Sequence, residues 1–371
     1  MQIAFFIYSL SGGGAERVTI HMAEYWAKKN HNVTIFTMAS TEDNRYQIPN
    51  SVTLVSLEID GSSRGLLTAV WSNIRRLHIL RKAIQKQNPD IIISMMSTAN
   101  VMTGIACLGL KTKSIGSERS YPGYDHSGRQ WEFLKRYTYR FLNTLVTQTA
   151  DGKRWILEHT NAQRVVTIPN PIVLPLPVNH PVIAPPSKKN RKYIIGTGRL
   201  VELKQFHHLI KVFAKISTDF ESWDLAIVGE GEIMADLQNL TSQLGVQDRV
   251  TLPGRVGNIS DWYLAADLFV MTSETEGFPN ALIEAMAHGV APISYDCLTG
   301  PRDIIEQGVN GLLVNANDQI DLENQIRELL TNDQKRKDMA TAGKKIKETL
   351  AINSIMARWD EVIADNLTAA N

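Results

Sequence analysis

Seven prolines fall within the stretch Ile168–Asn190, IPNPIVLPLPVNHPVIAPPSKKN, and nothing else divides the chain so sharply. Each proline fixes φ and removes a backbone donor, so neither a helix nor a central strand tolerates that density. On both sides of it, short apolar runs alternate with amphipathic stretches. Before it, strands are expected at Gln2–Ile7, Asn32–Thr37, Val52–Leu57, Asp90–Ser94, Lys113–Ser117, Thr144–Gln148 and Val165–Ile168, with helices such as Ala15–Lys29 and Val70–Gln87 between them. After it, strands are expected at Tyr193–Thr197, Asp224–Val228, Val250–Leu252, Leu268–Met271, Ala291–Ser294 and Leu312–Val314. Helices are expected near Gln205–Thr218, Glu232–Leu244, Asn280–Ala287, Asp321–Leu330 and Ser354–Leu367. This rhythm means parallel sheets with helices on both faces. The fold class is α/β, with two Rossmann-like domains over 1–170 and 191–350 and a Pro-rich linker over 171–190. Two such domains about a hinge form a cleft lined by the carboxyl ends of both sheets, where open α/β sheets bind ligands.

At 371 residues the chain exceeds one ordinary core, which agrees with two domains. A formal net charge of +1 rules out a strong global field, so nucleic acid is not an expected partner. Cys107 and Cys297 sit apart in apolar surroundings and read as reduced core residues of a cytosolic protein. The opening MQIAFFIYSLSGGGAERV lacks a basic leader and reads as a buried strand. No run approaches the roughly 18–20 apolar residues of a membrane span, so any membrane contact is expected to be peripheral.

Three segments carry candidate chemistry. SLSGGGAER, residues 9–17, links the first strand and first helix. Its glycines, Gly13 and Gly14 among them, let backbone N–H groups approach a phosphate, or simply make a turn. It matches neither G-x-G-x-x-G nor a Walker A loop. GTGRLVELKQF, residues 196–206, follows the first strand of the second half; Arg199 and Lys204 beside Gly198 suit a diphosphate, or are solvated loop charges. SETEGFPNALIEAMAHGVAPIS, residues 273–294, is the most specific. Glu276 lies in a loop after a strand, and Gly277, Phe278 and Pro279 lead into a helix whose expected N-cap is Asn280, followed by Ala281, Leu282 and Ile283. The helix N-terminus attracts an anion or sugar oxygens, and Glu284, one turn in, is placed to accept bonds from a ribose diol.

EGFPNALIE (276–284) resembles the E-x7-E motif of family-4 glycosyltransferases, retaining enzymes of the GT-B fold. GGAER (13–17) is similar to their N-terminal donor loop and GRLVELK (198–204) to their arginine–lysine diphosphate site. GEG (229–231) resembles a loop beside the base, and GPRDII…GVNGLLV (300–314) the stretch after the motif. SGGGAERV, MMSTANV and GSERS resemble most the bacterial enzymes that extend polyprenyl-diphosphate-linked saccharides, N-acetylgalactosamine transferases included. The resemblance implies a C-terminal helix, within 351–371, crossing back to the first domain. It also implies transfer of a hexose or N-acetylhexosamine from a UDP-sugar to a sugar hydroxyl, without cofactor or metal. Arg199, Lys204 and Glu276 would be catalytic. Gly13, Gly14, Gly198, Arg255, Phe278, Pro279, Asn280, Ala281, Leu282 and Glu284 would bind the donor. Relatives often carry a histidine after the fifth strand; here GSERS (116–120) puts Arg119 there, beside Glu118. Arg119 cannot serve as a base at neutral pH but can bind a sugar or phosphate, and Glu118 can pair with Arg17 or Arg119.

The expected acceptor is a glycan, lipid-linked or polysaccharide, met at the inner face of the cytoplasmic membrane. Two stretches fit such a surface or plain packing on the sheet: Ile74–Lys86, with Arg75, Arg76, Arg81, Lys82 and Lys86, and Trp131–Leu142, WEFLKRYTYRFL. Rival readings are a UDP-sugar 2-epimerase on the same scaffold and a non-catalytic nucleotide-sugar binder. A nicotinamide dehydrogenase fails on its fingerprint, since Phe36 and Thr37 stand where an acidic residue would end the second strand.

Overall fold

The computed structural model describes residues 1–40, 42, 47–61, 66–124, 129–186 and 191–368. It divides into two compact units, Met1–Pro171 with Ile352–Asn371, and Ile172–Ala351.

In the first unit seven parallel strands are β1 Gln2–Ile7, β2 Asn32–Thr37, β3 Val52–Ser56, β4 Ile91–Met95, β5 Lys113–Ser117, β6 Thr144–Thr147 and β7 Val165–Thr167. They lie in the order β3-β2-β1-β4-β5-β6-β7. Phe5 of β1 sits level with Ile35 of β2 and Ile93 of β4. Of these, β1 and β4 are near-continuous apolar runs because helices cover both faces, leaving no polar side to alternate with. Helix Gly14–Lys28 turns Val18, Met22, Ala23 and Trp26 inward.

Helix Ile352–Thr368 belongs to this unit although it follows the second in sequence. Trp26 donates its indole N–H to Asp360 at 2.7 Å, Arg164 pairs with Asp365 at 2.6 Å, and Asn366 donates to Thr144 at 2.9 Å. The crossover expected from the resemblance is present.

The second unit contains β8 Lys192–Thr197, β9 Trp223–Val228, β10 Val250–Gly254, β11 Leu268–Met271, β12 Ala291–Asp296 and β13 Leu312–Asn315, in the order β10-β9-β8-β11-β12-β13. All pairings are parallel. Strand order reverses between β8 and β11, so the loops after these two strands flank the switch point of the sheet. Every strand expected from the sequence is found, with ends moved by no more than two residues.

The Pro-rich segment, expected as a linker over 171–190, is anchored along much of its length. Residues 172–186 lie within the second unit and are docked on it. Leu176 is in its core. Asn258 both accepts the Ile183 N–H at 3.0 Å and donates to the Ile183 carbonyl at 3.1 Å, and Trp262 donates to the same carbonyl at 2.9 Å. Proline precludes helix and ladder, so the extended chain finds its remaining partners in a loop and a neighbouring helix. Residues 187–190 lie outside the described residues.

Candidate active site

At the carboxyl end of the second sheet, β8 runs into Gly198-Arg199-Leu200 and a short 3-10 turn, Glu202–Lys204; β11 runs into Thr272–Pro279. The two loops are laced together. The Thr272 hydroxyl reaches the carbonyls of Lys204 at 2.9 Å and Gln205 at 3.1 Å, and the Glu274 N–H donates to the Leu203 carbonyl at 2.8 Å. That frame presents Lys204 to Glu276: Nζ lies 2.5 Å from Oε1, with side chains only 24% and 12% exposed. Ser273 donates to the same oxygen at 2.7 Å, and the Thr299 hydroxyl, from the loop after β12, donates to the Glu276 carbonyl. Two of the three expected catalytic residues therefore form one ion pair.

Helix Asn280–Ala287 follows directly. Its N-cap is Pro279, with Asn280 as the first helical residue, and no side chain caps it. The expected Asn280 cap is thus displaced by one position, because Pro279 holds the extended backbone that a cap requires. Phe278 and Pro279 are buried, as are Leu282 and Ile283; Ala281 packs at the edge of the core. Glu284 is 7% exposed and accepts from Tyr263 at 3.3 Å, whose hydroxyl also meets Thr197 at 3.0 Å. The carboxylate is thereby tied through Tyr263 to the end of β8.

Close backbone approach explains the GEG loop. The Leu200 N–H donates to the Glu230 carbonyl at 2.9 Å, Gly198 N–H to Val228 at 3.1 Å, and Gly229 N–H to Gly254 at 3.0 Å. A Cβ on Gly229 would overlap the Gly198 carbonyl, and one on Gly231 the Leu200 carbonyl. Arg199 is exposed and Arg255 half-buried, both on loops at this end of the sheet, with neither guanidinium paired among the described residues.

In the first unit, two amides of the expected phosphate loop have a partner within the loop itself. Glu16 accepts from the Gly13 N–H at 2.9 Å and from Gly12 N–H, and the Ser9 hydroxyl donates to it at 3.1 Å. Gly13 is the N-cap and Gly14 the first helical residue. The Gly12 and Gly13 amides are thus held by a capping carboxylate three residues beyond the N-cap.

Glu118 does not pair with Arg17 or Arg119. It is 1% exposed and accepts from Ser97 and Asn100 at 3.0 Å each, and from the Tyr139 hydroxyl. Burial raises its pKa, against the pull of these donors. Arg119 is also buried; it donates to Asn170 at 2.7 Å and lies over the Trp359 indole. Its Nε has no partner among the described residues, and burial lowers its pKa to about 9.

Residues 12–174 match the family model described as Glycosyltransferase Family 4, and residues 183–346 the one described as Glycosyl transferases group 1. The chain is a glycosyltransferase, with a Glycosyltransferase Family 4 domain followed by a Glycosyl transferases group 1 domain. A Campylobacter jejuni alpha-1,4-N-acetyl-D-galactosaminyltransferase, whose name gives a diNAcBac-PP-undecaprenol-linked saccharide as its substrate, is 29% identical, covering 98% of this chain and 99% of that protein. The amylovoran biosynthesis glycosyltransferase AmsD of Erwinia amylovora is 23% identical, over 95% and 96% of the two chains. HepE of Anabaena, crystallised with UDP, superposes with a TM-score of 0.79 at 19% identity, covering 98% of this chain and 100% of that one. A sucrose-phosphate synthase from Thermosynechococcus elongatus superposes at 0.83 with 15% identity over both full chains. These likenesses establish the GT-B fold.

No helix of the transferase, among the described residues, is long and apolar enough to cross a membrane. Of the two surface stretches named from sequence, the first is partly structural: Ile84 is core, and Arg81 donates to the Ala106 carbonyl at 2.8 Å and the Leu108 carbonyl at 2.7 Å. In the second, Lys135 and Tyr139 are fully buried, while Phe133 is 62% and Tyr137 40% exposed, their ring centres 4.6 Å apart beside exposed Arg136 and Arg140. Sequence reasoning overlooked the residues that hold the transferase's glutamates: Ser273 on the Glu276 carboxylate and Thr299 on its main-chain carbonyl, Tyr263 at Glu284, Asn100 and Tyr139 at Glu118. Only Glu16 had a local signal, its spacing from the glycine turn.

Proposed function

We propose that this glycosyltransferase retains configuration at the anomeric carbon, needs no metal or cofactor, and takes its sugar from a UDP-sugar, UDP-GalNAc or UDP-GlcNAc above others. The observation that carries the reading is the Lys204–Glu276 pair at the switch point of a parallel sheet, one short loop from a helix N-terminus. Departure of a nucleoside diphosphate puts negative charge on its oxygens and positive charge on the anomeric carbon. Arg199, Lys204 and the amides at Asn280 stabilise the former; losing one such group typically costs about 10²–10³ in rate. Glu276 orients the hexose, Glu284 holds the ribose, and Gly198, Arg255 and Phe278–Leu282 complete the donor site. The acceptor hydroxyl attacks from the leaving-group face, and a diphosphate oxygen takes its proton.

UDP in the HepE crystals and the name of the Campylobacter relative support the donor class. That name also supports a polyprenyl-diphosphate-linked glycan acceptor. Acceptor binding is assigned to the first unit, with Arg119 near the incoming sugar and Glu118 positioning the strand end beside it. Phe133, Tyr137, Arg136 and Arg140 make peripheral contact with the inner face of the cytoplasmic membrane, the aromatic rings entering the interface and the cations meeting anionic headgroups.

A thermal-shift screen of nucleotide-sugars, repeated with Glu284→Ala, tests the donor site. One nucleotide-sugar is expected to stabilise the wild type and not the variant; no shift with any of them would sink the reading. Incubation of that donor alone, watched for an isomer, separates transfer from epimerisation. Sedimentation with phosphatidylglycerol vesicles, at low and high salt, tests the membrane contact.

A further inference from the structure

We propose that Glu276 is also an intramolecular competitor of the nucleoside diphosphate, so that loss of the sugar ejects the spent nucleotide. The inference rests on the donor-site reading above. Lys204 is not a free cation awaiting phosphate: its Nζ is 2.5 Å from Glu276 Oε1, and both side chains are largely withdrawn from solvent. The backbone beneath the pair is fixed by Thr272 on the Lys204 and Gln205 carbonyls, by Glu274 N–H on Leu203, and by Thr299 on the Glu276 carbonyl. Partner exchange is therefore a matter of side chains, not of loops.

A diphosphate that takes Lys204 strips Glu276 of its counter-charge and leaves it Ser273 as its described donor. A part-buried carboxylate without its cation is costly, and a polyanion beside it makes this worse. A nucleotide-sugar offers compensation, because its sugar hydroxyls donate to the vacated carboxylate. The nucleoside diphosphate left after transfer offers none, and it carries one more negative charge. Before the reaction the exchange Lys204–Glu276 for Lys204–phosphate plus Glu276–hydroxyl is balanced. Afterwards only the reverse exchange restores both partners, and the pair re-forms as the nucleotide leaves. Glu276 thus discriminates donor from product by the charge it withholds from Lys204.

The test is calorimetric titration of the full chain with UDP and with UDP-N-acetylgalactosamine. It compares wild type, Glu276→Gln, Glu276→Ala, and Glu202→Gln, which removes an exposed carboxylate from the same turn. UDP is expected to bind both Glu276 variants about tenfold more tightly than wild type, the worth of one part-buried pair of about 1.4 kcal/mol. The nucleotide-sugar gains nothing, and Glu202→Gln leaves both affinities unchanged. UDP affinity that is unchanged or weaker in folded Glu276 variants overturns the proposal, as does equal tightening in Glu202→Gln. Absence of UDP binding to the wild type overturns instead the donor-site reading beneath it.

Discussion

The Arg119 guanidinium lies 5.7 Å from the ring centre of Trp359, so the loop after β5 is held by the last helix of the chain. An arginine in this setting is an expense to stability. It has no carboxylate partner among the described residues, its Nε is unsatisfied, and burial has pulled its pKa to about 9. Arg119→Met is expected to raise the urea midpoint, by about 1–3 kcal/mol of stability, because apolar replacement of a buried charge is often favourable. If Arg119 serves the acceptor sugar, the same variant loses transfer activity. A lowered midpoint would contradict the first expectation.

Glu16→Ala removes the acceptor that holds the Gly12 and Gly13 amides and the Ser9 hydroxyl. Loss of such a cap costs about 1–2 kcal/mol. Glu16→Gln should fall between, since its amide oxygen still accepts without the charge. Urea denaturation of the three proteins orders them.

Gly229→Ala and Gly231→Ala force a Cβ into the carbonyls of Gly198 and Leu200, prising apart the loops that carry Arg199 and Lys204. Each is expected to destabilise by about 1–3 kcal/mol and to abolish nucleotide-induced thermal stabilisation. Gly245 is a useful contrast. Its φ is +68° but no atom lies within 4 Å of a built Cβ, so Gly245→Ala should cost about 1 kcal/mol and leave nucleotide binding intact.

Burial, then Arg17, lowers His21 from 6.5 to about 4; burial, then His207, does the same for His208. Between those values the unfolded chain binds more protons than the folded one. The stabilisation is therefore complete above 6.5 and is lost as pH falls toward 4. His21→Gln should flatten the fall in melting temperature across this window. An unchanged slope would acquit His21.

How much of this was legible in advance depends on the range of the interaction. Gln2–Ile7 and Leu268–Met271 declare themselves because a strand covered on both faces must be apolar throughout. The Glu276–Glu284 spacing was visible because one helical turn and one loop separate the two. That Lys204 would already occupy Glu276 was not, since the contact crosses from β8 to β11 and no local pattern encodes it. The docking of residues 172–186 was missed for a related reason. Proline density tells what a segment cannot form, while Asn258 and Trp262, which hold it, lie far along the chain. Tyr139 on Glu118 is likewise hidden, because WEFLKRYTYRFL advertises aromatic and basic character without saying which face turns inward.

Helix Ile352–Thr368 completes a sheet whose strands lie at the opposite end of the chain. On the ribosome, the half that emerges first is consequently the half that finishes last: Trp26, Thr144 and Arg164 wait for Asp360, Asn366 and Asp365 while the second unit is made and folds between them. Until that helix arrives, Arg119 has no Trp359 against it. A nascent chain released early would hold a finished second unit joined to an unfinished first one.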